Sequence, residues 1–106
     1  MRRSTDFASV VRSGSRARRG QVVVHYLPEL RSGPAVVGLV VGKTVGPSVT
    51  RHQVSRRLRG LLADRLDVFQ PGSGTVVRAM PGTAGAPSAL LGRDLDAALS
   101  RLLAAR

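Results

Sequence analysis

The chain has 106 residues, 42% of them hydrophobic but only 3% aromatic, enough for one core built mainly from Val, Leu and Ala and not enough for two. Its 17 Lys and Arg stand against 6 Asp and Glu, and the formal net charge of +11 makes a polyanion, above all nucleic acid, the first class of partner. The absence of cysteine excludes disulfides and thiolate metal sites, and the longest apolar run, Ala35 to Val41, is too short to span a bilayer. The first residues also lack the apolar stretch of a secretory signal, so a cytoplasmic location is the expectation.

Ser4 or Thr5 is placed to cap a short helix running to about Ser13, with Asp6 in its favourable first turn. Phe7, Val10 and Val11 share one face of that helix, so it docks against the rest of the fold. Gly14 to Gly20, GSRARRG, reads as a basic loop. Two β-branched runs follow, Gln21–Leu27 and Ala35–Lys43, separated by the turn-rich PELRSGP, and an antiparallel hairpin is the natural reading. The second run is almost continuously apolar, the pattern of a central strand covered on both faces.

Gly46-Pro47-Ser48 opens a helix whose apolar period continues to about Val68. At about 100° per residue, Val54, Leu58, Leu61, Leu62 and Leu66 form one stripe, with His52, Arg56 and Arg59 roughly opposite it. Arg51 and Ser55 fall on one flank and Arg57 on the other. A turn at Gln70–Gly74 leads to a strand over Thr75–Met80. A Gly/Pro/Ala loop, 81–87, then leads to a final helix capped by Ser88, with Leu91, Leu95, Leu99, Leu102 and Leu103 on one face. The whole is one domain over residues 1–106, an α+β two-layer sandwich.

The residues offer little catalytic chemistry. Among the acids only Asp64/Asp67 and Asp94/Asp96 are close in sequence, and both pairs fall on solvated helix faces. His25 and His52 are the only histidines; an acid–base pair for metal-free RNA cleavage would require the fold to bring them together. GKTVG lacks the glycine spacing and Lys-Ser/Thr ending of a phosphate-binding loop. The helix after Gly46 instead presents arginines from a fixed scaffold, and their planar forks suit phosphate groups.

The central stretch resembles the protein subunit of bacterial ribonuclease P. That family's pattern is an apolar strand ending Gly-Leu-x-Val-x-Lys-Lys, a Gly-Asn-Ala-Val turn, and a helix opening Arg-Asn-Arg-x-Lys-Arg-x-x-Arg. This chain has Gly38-Leu39-Val40-Val41-Gly42-Lys43-Thr44, Gly46-Pro47-Ser48-Val49, and Arg51-His52-Gln53-Val54-Ser55-Arg56-Arg57-Leu58-Arg59. Asp6-Phe7 followed by Gly14 matches the family's opening, and the Val-Val-Arg-Ala-Met-Pro strand and leucine-striped last helix match its C-terminal half. His52, Gln53, Ser55 and Pro47 replace the usual Asn, Arg, Lys and Asn. The family usually carries further basic residues ahead of the position of Met1.

The resemblance implies a mixed four-stranded sheet with three helices, the motif helix lying in a left-handed crossover between parallel strands. It implies an accessory subunit: the RNA partner cuts the 5′ leader from precursor tRNA using magnesium, and the protein, needing no cofactor of its own, binds both RNAs. The RNA-binding positions are then Lys43, Arg51, His52, Arg56, Arg57 and Arg59. Those matching the leader-binding cleft are Phe7, Val11, Val23 and His25. A general RNA-binding protein of similar topology, such as a ribosomal protein or RNA chaperone, is the alternative.

Overall fold

The computed structural model describes residues 4–104, and side chains from Asp6 to Leu103. In chain order it has α1 (Ser4–Ser13), β1 (Ser15–Arg19), β2 (Val22–Leu27), β3 (Val36–Val41), α2 (Ser48–Ala63), β4 (Gly74–Ala79) and α3 (Ser88–Ala104). Short 3₁₀ turns occupy Lys43–Val45, Leu66–Val68 and Pro81–Gly85. The expected α+β sandwich of three helices on a mixed four-stranded sheet is what forms.

Strand order is β1-β2-β4-β3, with β1–β2 and β2–β4 antiparallel and β3–β4 parallel. Three sequence expectations are corrected here. The basic stretch after Gly14 is strand β1, not a loop; Ala17 supplies its one buried side chain and arginines alternate around it. The hairpin is β1–β2, and β2 and β3 are not neighbours, because β4 inserts between them. And β3 is an edge strand: only Gly38 is fully buried along it, whereas all of β4 except Arg78 is. The parallel β3–α2–β4 unit that the family resemblance implied is present.

Alternation along the strands divides the sheet into two faces. One face carries Val22, Val24 and Tyr26 of β2, Val77 and Ala79 of β4, and Ala17 of β1. These pack with Val54, Leu58 and Leu62 of α2 and with Leu91, Leu95, Ala98, Leu99 and Leu102 of α3, while Val37, Leu39 and Val41 of β3 extend the cluster to the edge. The opposite face, with Val23, His25 and Val76, is partly covered by α1, whose Val10 is fully buried.

Glycines permit two close approaches. A side chain at Gly14 would place its Cβ 2.5 Å from the Val10 carbonyl oxygen and 2.6 Å from that of Tyr26, so only glycine lets α1 turn directly into β1. At Gly74 a Cβ would lie 2.6 Å from Val10 Cγ2, which is how closely α1 approaches the sheet.

Two further boundaries differ from expectation. α2 ends at Ala63, so Leu66 falls outside the helix and is exposed rather than part of its apolar stripe. Arg65 helps close that end: it donates from Nη1 to the Leu61 carbonyl at 2.7 Å and from Nε to Asp96 Oδ1 at 2.6 Å, tying the helix end to α3. Ser88 is the first helical residue of α3, not its cap; the Leu91 N–H bonds to the Pro87 carbonyl instead.

Candidate nucleic-acid interface

The approach to α2 is built to hold the helix start still. Val45, buried in the 3₁₀ turn, anchors the backbone, and Gly46 follows at φ +152°, a conformation that side-chain-bearing residues rarely adopt. Pro47, extended at φ −67°, ψ 170°, then delivers the chain into Ser48. No acidic residue occupies the first turn, so the positive end of the helix is not neutralised from within.

Along α2, residues one turn apart align beside the free edge of β3. Ser48, Arg51, His52 and Ser55 line a small hollow of about 180 Å³ together with Val41 of β3. Further along, Arg59, Leu62, Ala63 and Leu66 face Val37, Gly38 and Leu39 across a larger hollow of about 420 Å³, and Phe7 of α1 closes its end. Polar and cationic at one end and apolar at the other, the two hollows form a groove between helix and strand edge.

The predicted RNA-binding residues divide into two groups. Lys43, His52, Arg56 and Arg59 are exposed, and Arg51, half-buried, belongs with them. Its Nε donates to the Gly46 carbonyl and its Nη2 to Ser48 Oγ, both at 3.2 Å, so the guanidinium is oriented over the turn while part of its donor set stays uncommitted. Arg57 faces the other way. Its Nη1 donates to the Ala86 carbonyl at 2.7 Å and its Nη2 to that of Thr83 at 2.9 Å, fastening the turn after β4 to α2. That structural role was invisible in the sequence, where Arg57 sits in an arginine run like its neighbours.

The four leader-cleft positions are also separated. Phe7, half-buried, lines the larger hollow, which brings it into one cavity with Arg59. Val11, Val23 and His25 do not line that cavity; they belong to the α1 side of the sheet, where Val23 is 8% exposed and His25 6%. His25 is therefore a wall residue rather than an open stacking platform. Its Nδ1 is buried without a hydrogen-bond partner, and burial, then Arg78 and Arg16, push its pKa below 6.5, so the ring is neutral at pH 7. His25 projects on the α1 face of the sheet whereas α2 packs on the other face, so the fold does not pair the two histidines as an acid–base couple. Among the described residues there is no group of three His, Cys, Asp or Glu able to hold a metal ion, and no helix long and apolar enough to cross a membrane.

A mixed α+β sheet with a cation-lined helix start beside its open edge fits a nucleic-acid-binding class of protein. Comparison with known proteins makes the class specific. Residues 1–103 match the family model for ribonuclease P. The chain is 50% identical over 111 residues to the ribonuclease P protein component of Streptomyces bikiniensis, covering 97% of this chain and 90% of that one. Its fold matches the RNase P protein of Staphylococcus aureus with a TM-score of 0.82 at 18% identity, over 95% of this chain and 92% of that chain. The RNase P protein of Thermotoga maritima gives 0.80 at 19% identity, over 95% and 94%. The chain belongs to the ribonuclease P protein family.

Proposed function

We propose that this chain is the RNA-binding subunit of ribonuclease P, assisting a catalytic RNA in the endonucleolytic removal of the 5′ leader from precursor tRNA. The observation that carries this reading is the set of cations on α2, with Arg51, His52 and Arg59 beside the open edge of β3 and Arg56 exposed on the same helix, in a chain belonging to this family. The chemistry assigned to the protein is electrostatic. Two polyanions must approach closely, and each phosphate neutralised by a guanidinium releases condensed counterions, which lowers the cost of bringing them together. Hydrolysis belongs to the RNA and to magnesium bound there.

In this reading Lys43, Arg51, His52, Arg56 and Arg59 contact the catalytic RNA, and the α1 side of the sheet, from Phe7 to His25, receives the leader. Both RNAs are cytoplasmic, and the protein acts in that compartment. Reconstitution tests the proposal: the purified chain is mixed with a bacterial ribonuclease P RNA and a precursor tRNA at low magnesium. Cleavage should require the RNA, and the protein should lower the magnesium needed. Cleavage by the protein alone would assign catalysis to its own side chains. Tight RNA binding without stimulation would make it a general RNA-binding protein.

A further inference from the structure

The main-chain pairing of β1 can be followed from its turn. Gly20, at φ +56°, and Gln21 form the two-residue connection between β1 and β2, which the pair Arg19 and Val22 closes. In an antiparallel ladder, pairs that exchange main-chain bonds alternate with pairs that do not. The Gln21 carbonyl accepts from the Met80 N–H at the end of β4, so Gln21, Val23 and His25 bond toward β4 while Val22, Val24 and Tyr26 bond toward β1. The β1 partners of those last three are Arg19, Ala17 and Ser15. The N–H and C=O groups of Arg16 and Arg18 therefore point outward from the sheet, and among the described residues no other strand pairs with β1. Both side chains are exposed, and neither has a carboxylate partner there: the ion pairs among the described residues are Arg31 with Asp6 and Arg65 with Asp96. Arg18 makes only a long contact, 3.4 Å, from Nε to the Gly20 carbonyl, and its own carbonyl accepts from Arg19 Nη1 at 2.7 Å.

We propose that β1 is a docking edge for an acidic, extended polypeptide segment of another protein, which joins the sheet antiparallel to β1 and sets two carboxylates against Arg16 and Arg18. Charge alone would suit a nucleic acid equally; the main chain decides. Two N–H donors and two C=O acceptors, on residues about 7 Å apart, match the backbone of a second strand. RNA phosphates are acceptors only and would leave both carbonyls unmet. Residues paired across such a ladder share a face. The segment residues that exchange main-chain bonds with Arg16 and Arg18 are thus the same ones whose side chains meet the guanidiniums. The sequence selected is Glu or Asp at two positions separated by one residue, with a β-branched residue between them on the Ala17 side. The segment's N–H takes the place of Arg19 Nη1 on the Arg18 carbonyl. β1 lies at the opposite margin of the sheet from β3 and the α2 cations beside it, so the docking edge is independent of the ribonuclease P reading, and one molecule has room for RNA and the segment together.

The test titrates the full chain into a fluorescein-labelled peptide, Thr-Val-Glu-Val-Glu-Val-Thr, and reads anisotropy. An isomer with the two glutamates adjacent, Thr-Val-Glu-Glu-Val-Val-Thr, has the same charge but sends one carboxylate to each face, and it should bind about tenfold more weakly. Arg16→Ala plus Arg18→Ala should weaken the alternating peptide by about the same factor, with circular dichroism and light scattering verifying that the variant is folded and monomeric. Methylating the main-chain nitrogens of both glutamates should abolish binding, because those N–H groups face β1, whereas methylating the valine between them should leave it unchanged. No binding of the alternating peptide, equal binding of the two isomers, or binding that survives methylation of the glutamates would each overturn the docking edge. So would an oligouridylate whose affinity falls as far as the peptide's in the alanine pair, which would assign the two arginines to RNA.

Discussion

Replacing Arg57 by alanine separates a structural arginine from its RNA-facing neighbours. Its two short bonds, 2.7 Å to Ala86 and 2.9 Å to Thr83, join a charged donor to carbonyls at the end of a 3₁₀ turn. Hydrogen bonds from charged groups contribute about 1.5–3 kcal/mol each. The site is only half-buried, so water restores part of what is lost, and the third contact, 3.4 Å to Ala84, is too long to count for much. A net loss of about 2 kcal/mol follows. In urea, where small domains lose about 1–3 kcal/mol per molar, the unfolding midpoint should fall by about 1 M. Arg57→Lys should recover little, because an ammonium cannot fork to two carbonyls. The salt slope for binding ribonuclease P RNA should stay at its wild-type value. A stable variant whose slope drops by about one would refute the reasoning and return Arg57 to the RNA-contacting set.

Other outcomes follow from the same geometry. Arg56→Ala plus Arg59→Ala should leave the unfolding free energy measured in urea within about 0.5 kcal/mol of wild type and lower the salt slope for the catalytic RNA by about one per lost phosphate contact; an unchanged slope would mean that these exposed side chains point away from RNA. Gly14→Ala should cost about 3 kcal/mol, near the upper end for overpacking, because main-chain oxygens rather than flexible side chains meet the new methyl; a melting temperature equal to wild type would show that α1 has room to shift. For His25 the native pKa lies below 6.5, so as pH falls below 6.5 the unfolded chain takes up a proton that the folded chain refuses. The stability this group contributes is complete above 6.5 and is lost as pH falls through the lower native pKa. Melting temperature should therefore fall from pH 7 to pH 5 and fall less in His25→Gln, while NMR should show an imidazole titrating below 6.5; titration at or above 6.5 would mean an open ring.

Elements with strong periodicity were legible from the sequence: α1, α2 as far as Ala63, β2, β4 and α3 lie close to where the residues put them. β1 was not, because a strand with a single core-facing Ala17 among arginines shows no apolar alternation, and its existence depends on pairing with β2. The apolar continuity of β3 suggested a central position. It arises instead because Val37, Leu39 and Val41 meet the core while Gly38 is buried and Val36 and Val40 are half-covered on the other face. Nor do β-branched runs name their partners: the residues alone favoured a β2–β3 hairpin, and the family resemblance supplied the parallel pairing. The cations of α2 were located by helical phase, which correctly set Arg57 on a different flank from Arg51. What Arg57 grips is decided by a turn 26 to 29 residues further on, beyond the reach of any local pattern.

Strand β1 ends the sheet with main-chain groups that no further strand covers. An uncovered margin of this kind is a template onto which a second molecule can add, and the usual outcome is aggregation. The sequence SRARR makes self-addition unfavourable, since two such strands laid side by side would press guanidinium against guanidinium. The protein thus carries its own deterrent to clumping while it waits for RNA. Substituting these arginines should therefore lower solubility.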